Sequence, residues 1–490
     1  MVRSILRSAI VTTLVASLVS GCSGGDSGTV DVAVIGETGS QFTVGPKLPY
    51  AAQLLRSATA EGLVGFDEQG RVVPALADRW IVTDDGQSFI FRLRDGTWPG
   101  GAPISGDSAR QALQKAIADL RGTPLGQDLA VIADIRTMAG RVIEVRLVRP
   151  FPDLLLLLAQ PELGLMRNGK GAGPMKFKRD AGLATLTALP PAERGQADEE
   201  DWDSRTRKLQ LRAVTASKAM ALFDEGEVDV VLGGRVEDFP RIAQAGFSRG
   251  AIRLDPVVGL FGLAVSNDAG FLAKPEHREA IAMAIDREAL MASFNLGGWT
   301  ATNRIVTPGL EGDTGSVAER WLGQGIEDRR AVARSRVERW TVANGPVALR
   351  IALPSGPGSD LLFARLAADL KAVGIDSRKV GADAPADLRL VDAVARYPRP
   401  AWFLNQLSCT AGRGICSPGA DLKARQALLE PDAAKSAELL AQAEAELTVA
   451  NSFIPFGVPV RWSLLAGSAS GFTPNTWNAH PLIAMAMLPK

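Results

Sequence analysis

The side chains best suited to nucleophilic or metal chemistry are few in this chain of 490 residues: three cysteines and two histidines. His277 and His480 lie far apart and in unlike sequence contexts, which argues against a histidine-rich zinc or copper site. Cys409 and Cys416 enclose Thr-Ala-Gly-Arg-Gly-Ile, a short loop whose two glycines let it close. In an oxidising compartment such a pair is expected as a disulfide, and a metal reading lacks two further His or Cys ligands nearby. Gly21-Cys-Ser-Gly-Gly25 fits the Gly-x-Ser-x-Gly pattern, but it follows no strand and cannot build a nucleophile elbow. Neither Gly169-Lys-Gly-Ala-Gly173 nor Pro354-Ser-Gly-Pro-Gly358 is a phosphate loop, because no Lys-Ser/Thr pair follows the last glycine. Asp84-Asp85-Gly86 reads as a turn, since the rest of a calcium loop is missing. These residues point to binding rather than bond making.

What positions them begins with an address. Arg3 and Arg7 precede an apolar stretch at residues 9–19, and Val19-Ser-Gly-Cys22 then runs small residues into a cysteine. This resembles the lipobox of bacterial lipoproteins, in which the leader is cut ahead of the cysteine and the thiol is acylated. The alternative is a plain secretory signal. On the first reading residues 1–21 are a lipoprotein signal peptide, and 22–30 are the lipidated Cys22 with a Gly/Ser-rich tether. No other stretch reaches the ~18 uninterrupted apolar residues that a spanning helix requires. The body is therefore expected on the periplasmic side of a cell envelope, anchored to the membrane by lipid.

With 54 Lys+Arg against 54 Asp+Glu, the bulk charge supplies no reason to expect nucleic acid or an acidic membrane surface as partner. An apolar fraction of 46% is ample for a buried core, and the length suggests several domains or one large multi-lobed body. From Val30 onward the pattern is mixed α/β. Phe89, Phe91 and Leu93 alternate along a strand, and Asp107 is placed to cap a helix with Leu113, Ala116, Ile117 and Leu120 inward. Residues 193–207 are highly charged and read as a solvated hairpin loop between two alternating segments. Pro275 and Glu276 open a helix carrying Ala280, Ile281, Ala284 and Ile285. A strand at residues 347–353, a helix with Leu362, Leu366, Leu370 and Val373 inward, and a further strand after Gly374 make a β-α-β crossover. That unit implies a parallel sheet in the second half. Another amphipathic helix covers 432–450, and 453–488 is apolar and Pro-rich.

Several short motifs fall in an ordered series. Glu61-Gly-Leu-Val-Gly-Phe66, Val73-Pro-Ala-Leu-Ala-Asp-Arg-Trp80, Asp84-Asp-Gly86 and Phe91-Arg-Leu-Arg-Asp-Gly96 occur within ~40 residues. Gly171-Ala-Gly-Pro174, Gly226-Glu-Val-Asp229, Arg278-Glu-Ala-Ile-Ala-Met-Ala-Ile-Asp-Arg287, Gly374-Ile375 and Phe453-Ile-Pro-Phe456 follow. Together they resemble the family 5 extracellular solute-binding proteins, the dipeptide- and oligopeptide-type receptors of bacterial ABC importers. The resemblance spans nearly the whole mature chain, more loosely after Thr300. It implies an α/β, two-lobed periplasmic-binding-protein fold of class II type, with a hinge between lobes and an extra subdomain in the N-terminal half. It implies no cofactor and no catalytic activity, with a small-molecule or peptide-like ligand and ABC permease subunits as partners of a monomer. The expected division is lobe I at 31–48, 172–262 and 452–490, the extra subdomain at 49–171, and lobe II at 263–451.

One stretch departs from the peptide-binding pattern. Peptide receptors of this family resemble Asp-Tyr-x-x-Pro-x-x-Phe-Leu in the second lobe, with the aspartate taking the peptide's ammonium. Here Tyr397, Pro400, Phe403 and Leu404 keep that register, but Arg396 stands where the aspartate would be. The resemblance thus makes Arg396 a ligand-facing residue that opposes a free peptide N-terminus, unless it is neutralised by a nearby acid. Tyr397, Trp402, Asn405, Asn267 and Phe261 are the other expected ligand contacts, since aromatics offer stacking and amides offer hydrogen bonds. Asp229, Asp286 and Arg287 match motif positions and read as caps and ion pairs. The competing readings are a lipid-anchored envelope hydrolase and a degenerate member retained as scaffold or sensory partner.

Overall fold

The computed structural model describes residues 28–248 and 250–488. The expected signal peptide, Cys22 and the tether as far as residue 27 lie outside the described residues. Thr29 and Val30, expected at the end of the tether, already belong to the first strand, Thr29–Ile35.

Two large sheets carry the two lobes. The first has seven strands in the order Met175–Asp180, Leu183–Ala188, Lys208–Val214, Thr29–Ile35, Val230–Gly234, Trp462–Leu465, Ile252–Leu254. Thr29–Ile35 pairs in parallel with both of its neighbours, and so needs helices on the sheet faces to bury it. The second sheet has five strands in the order Ile375–Gly381, Val347–Leu353, Leu388–Val394, Gly259–Val265, Phe453–Gly457. Val347–Leu353 and Ile375–Gly381 pair in parallel on either side of the helix Pro357–Lys371, which is the crossover read from the sequence. Leu362, Leu366, Leu370 and Val373 are all buried beneath it. A separate four-stranded antiparallel sheet forms the extra subdomain: Ala77–Val82, Ser88–Leu93, Val142–Leu147, Ile132–Ala139.

Three boundaries differ from expectation. Gly259–Val265 and Phe453–Gly457 both pair within the lobe II sheet, so the chain crosses between lobes at 255–258 and 458–461, not at 262/263 and 451/452. An alternating or fully apolar run reveals a buried strand but not which sheet will take it. The helix Tyr50–Thr59 also leaves the subdomain, because Ala51, Leu54, Leu55 and Ala58 pack into the lobe I core. Smaller corrections concern local chemistry. The helix Gly106–Asp119 is capped by Ser105, whose hydroxyl accepts from the Ser108 N–H, while Asp107 accepts from the Thr137 hydroxyl at 2.8 Å. The charged segment 193–207 does join two antiparallel strands, yet Trp202 and Arg207 within it are buried.

One buried apolar cluster runs from the subdomain (Val131, Leu154, Leu158) into lobe II (Tyr397, Trp402, Phe403). The subdomain and lobe II therefore meet across a shared core, and the molecule stands closed along that seam.

Candidate functional site

A cavity of about 1350 Å³ lies where lobe I, the subdomain and lobe II meet. It exceeds the ~300–1,000 Å³ usual for small-ligand pockets. Ionic groups line it, and most of the half-buried ones are already engaged. Glu61 from the subdomain side is shared by Arg94 and Arg194. Asp392, on the lobe II strand Leu388–Val394, is bonded by Arg461 of the second crossing segment at 2.8 Å. Asp238 receives Arg241 at 2.9 Å. Glu237 differs: among the described residues no other side chain is bonded to its carboxylate, which lies by its own backbone N–H, although the residue lines the cavity. Burial first, and then the Asp392 charge, push its carboxyl up to about 7. Its backbone carbonyl is fixed across the lobes, accepting from Gly358 N–H at 2.8 Å.

Of the six expected ligand contacts, Arg396 and Trp402 line this cavity. Arg396 continues the strand Leu388–Val394 and donates from Nη2 to Glu162 of the subdomain at 2.9 Å. Arg413 lines the same wall and donates to Gln406 at 2.7 Å. Its guanidinium is held below its usual range, by burial first and then by the Arg396 charge. Two guanidiniums thus share this wall with one carboxylate, Glu162. The Trp402 indole, 1% exposed, has an N–H that finds no partner among the described residues.

The other four lie elsewhere. Tyr397 is buried in the shared core, edge-on to Phe151, and its hydroxyl donates to Asp128 at 2.7 Å. Asn405 donates to the same Asp128 oxygen at 2.7 Å. Both reach from lobe II to the subdomain and brace the seam. Asn267 donates to Asp387 at 2.9 Å and accepts from Ala269 N–H, closing a turn in lobe II. Phe261 is fully buried against Trp299 and Phe456. Trp299 in turn donates to the Val458 carbonyl in the crossing segment. Asp286 caps the helix Arg287–Ala292, Asp229 accepts from Asp31 N–H, and Arg287 donates to the Pro455 carbonyl. Cys409 and Cys416 are joined, with Cα atoms 5.0 Å apart. The intervening loop carries Ala411 and Arg413 to the cavity wall. Among the described residues no helix is long and apolar enough to cross a membrane.

Glu162, Asp128, Arg413 and Glu237 were not foreseen. For Glu162 and Asp128 the partners are remote in sequence, 234 residues away for Glu162 and Arg396 and 269 for Asp128 and Tyr397. The family described as bacterial extracellular solute-binding proteins, family 5 (middle), matches residues 71–413. Di/tripeptide-binding protein 1 of Pseudomonas aeruginosa is 24% identical over 447 residues, covering 77% of this chain and 76% of that protein. A 32% identical Escherichia coli relative aligns over only 121 residues, 23% of its own length. Among solved structures, Haemophilus influenzae OppA in complex with the peptide RPPGFSPFR superposes with a TM-score of 0.79 at 16% identity, over 94% of this chain and 99% of that one. The Escherichia coli murein tripeptide binding protein MppA also reaches 0.79, at 18% identity, again over 94% and 99%. An unliganded open form of MppA reaches 0.62, covering 95% of this chain and 98% of that one.

Proposed function

Because the chain belongs to the bacterial extracellular solute-binding proteins of family 5, we propose that it captures a solute between its hinged lobes and hands it to the permease of an ABC importer. It does no covalent chemistry in this role. The observation that carries the reading is the cavity itself: about 1350 Å³, walled jointly by both lobes and the subdomain, with two chain crossings beside it. Closure around a hinge buries the solute's polar groups against fixed partners, and that burial confers selectivity. Acylation at Cys22 would hold the body at the membrane where the permease sits.

The solute is not an ordinary peptide bound by its free N-terminus at position 396. An ammonium there would meet Arg396 and Arg413, with Glu162 already paired to Arg396. Like charges 4 Å apart repel by about 4 kcal/mol at an effective dielectric of ~20, and even half of that weakens binding about thirtyfold. A solute with a carboxylate, phosphate or neutral acceptor at this wall avoids that opposition. Native mass spectrometry of the purified protein should find a co-purified small molecule, and calorimetry with di- and tripeptide mixtures should find weak binding. Micromolar binding of unblocked peptides, undiminished by Arg396→Ala, would show that position 396 has been misread. Turnover of chromogenic esters, peptides or glycosides would favour an envelope hydrolase instead.

A further inference from the structure

The seam between the subdomain and lobe II has a carboxyl at its centre. Asp128 ends the short helix Pro124–Asp128 of the subdomain and is 4% exposed. It packs against the lobe II segment that ends in the helix Pro400–Gln406. One oxygen, Oδ1, accepts from the Tyr397 hydroxyl and the Asn405 amide, both at 2.7 Å and both from lobe II. The other, Oδ2, is buried and has no partner among the described residues. The charged groups around this spot are otherwise occupied. Arg396 acts on Asp128 through space but is bonded to Glu162. Asp153, on the far side of Tyr397, is paired with Arg399 at 2.6 Å. Arg149 donates to the Leu428 carbonyl, and Arg413 donates to Gln406. The neighbouring Gln127 accepts from Ser408, adding another bond across the same seam.

We infer that solute capture is coupled to proton uptake at Asp128: the seam closes on the neutral acid and loosens when the carboxyl is ionised. This rests on the reading above, that the lobes close over a solute. A buried carboxylate with one oxygen unpaired suffers the full desolvation cost of that oxygen, whereas a proton on Oδ2 removes most of it while Oδ1 keeps both donors. Burial accordingly pushes the Asp128 carboxyl up to about 7, against the lowering effects of Asn405, Tyr397 and Arg396. When the seam parts, water reaches both oxygens and the group returns toward the ordinary aspartate value of ~3.9. The sign follows. Below about pH 4 the acid is neutral in both forms and closure is fully favoured. Between about 4 and 7 only the open form ionises, so the closing constant falls by up to about tenfold per pH unit. Above about 7 both forms are ionised and the dependence flattens.

The test is small-angle scattering of the full-length, solute-free protein from about pH 5 to about pH 8, alongside Asp128→Asn and Tyr397→Phe. The closed fraction should fall with rising pH in the parent chain and stay flat in Asp128→Asn, whose amide can be neither protonated nor ionised here. Tyr397→Phe removes one donor to the carboxylate and should move the midpoint upward, a shift that loss of folding would not mimic. A flat profile in the parent, or the same profile in Asp128→Asn, overturns the proposal. Because no solute is added, the outcome is separable from the capture reading. A pH-flat protein that still binds a co-purified solute removes this inference alone, whereas a titrating seam in a protein that binds nothing removes the capture reading, and with it the coupling, while leaving the proton-linked closure of the seam.

Discussion

The hinge and the seam are both crowded with buried ionic groups, and they treat them oppositely. At the hinge Asp392 and Asp255 use both oxygens. Asp392 accepts twice from Arg461, at 2.8 and 3.1 Å. Asp255 accepts from Asn475 N–H with one oxygen and faces His480 with the other, while its own N–H donates to the Arg461 carbonyl. At the seam, Asp128 Oδ2, Glu162 Oε2, Arg396 Nη1 and Trp402 Nε1 are all buried without partners among the described residues. A carboxylate with both oxygens bonded loses by parting, since water can only replace what is already made, although His480 Nδ1 beside Asp255 is itself buried without a partner among the described residues. An unsaturated set gains hydrogen bonds when water enters. The contrast separates a pivot that keeps its geometry from a joint that opens, which is the division of labour a capturing protein needs.

The largest effect that would sharpen this contrast is at the pivot. Asp392→Ala leaves the buried Arg461 charge uncompensated and should cost about 3–5 kcal/mol in denaturant unfolding. Glu162→Ala at the seam should cost well under half as much, because Arg396 is already 26% exposed and can turn to water. Equal losses would break the comparison. Next is the disulfide beside the seam, which holds the loop presenting Arg413. Replacing Cys409 and Cys416 by serine should cost at most about 2–3 kcal/mol by loop-closure reasoning. Thiol titration of the denatured, unreduced protein should find neither thiol of the pair free.

Smaller again is Gly358→Ala. A β-carbon at that position would lie 2.0 Å from the Val236 carbonyl oxygen of lobe I. Overpacking of this kind costs about 1–3 kcal/mol, here charged to the closed form, so affinity for the co-purified solute should drop by about ten- to a hundredfold. Calorimetry reads it directly, and unchanged affinity would mean that the lobes do not meet there. A further effect concerns Glu237. Its carboxyl is pushed up to about 7 in the folded chain, above the unfolded value of ~4.3, so ionisation opposes folding. Stability should fall as pH rises through that window, and Glu237→Gln should lose less between pH 5 and 8 in thermal melts.

The elements could be read from the sequence wherever one periodicity governed them. The β-α-β crossover in lobe II and the helix Ala433–Ala450 both follow from their apolar spacing. Sheet membership was not legible, because Gly259–Val265 is buried on both faces and would look alike in either lobe. Arg396 was found through its register with Tyr397, Pro400, Phe403 and Leu404, but its partner Glu162 lies in another domain and has no local signal. The same holds for Asp128, 269 residues from the tyrosine that bonds it. Tyr397 kept the family register yet serves as a brace rather than a wall, and Phe261, an aromatic inside a buried strand, is core. Motifs located the place where the lobes meet. Only the folded chain showed which polar atoms were left without partners.

Native-state hydrogen exchange tests the contrast between pivot and joint most directly, because it reads opening segment by segment without a ligand. Amides of the seam, in Pro124–Asp128 and Pro400–Gln406, should exchange through openings far less costly than those of the strands flanking the hinge, Gly259–Val265 and Phe453–Gly457. The gap should widen as pH rises from about 5 to about 7, after correction for intrinsic exchange. Equal protection of seam and hinge at every pH would contradict the account.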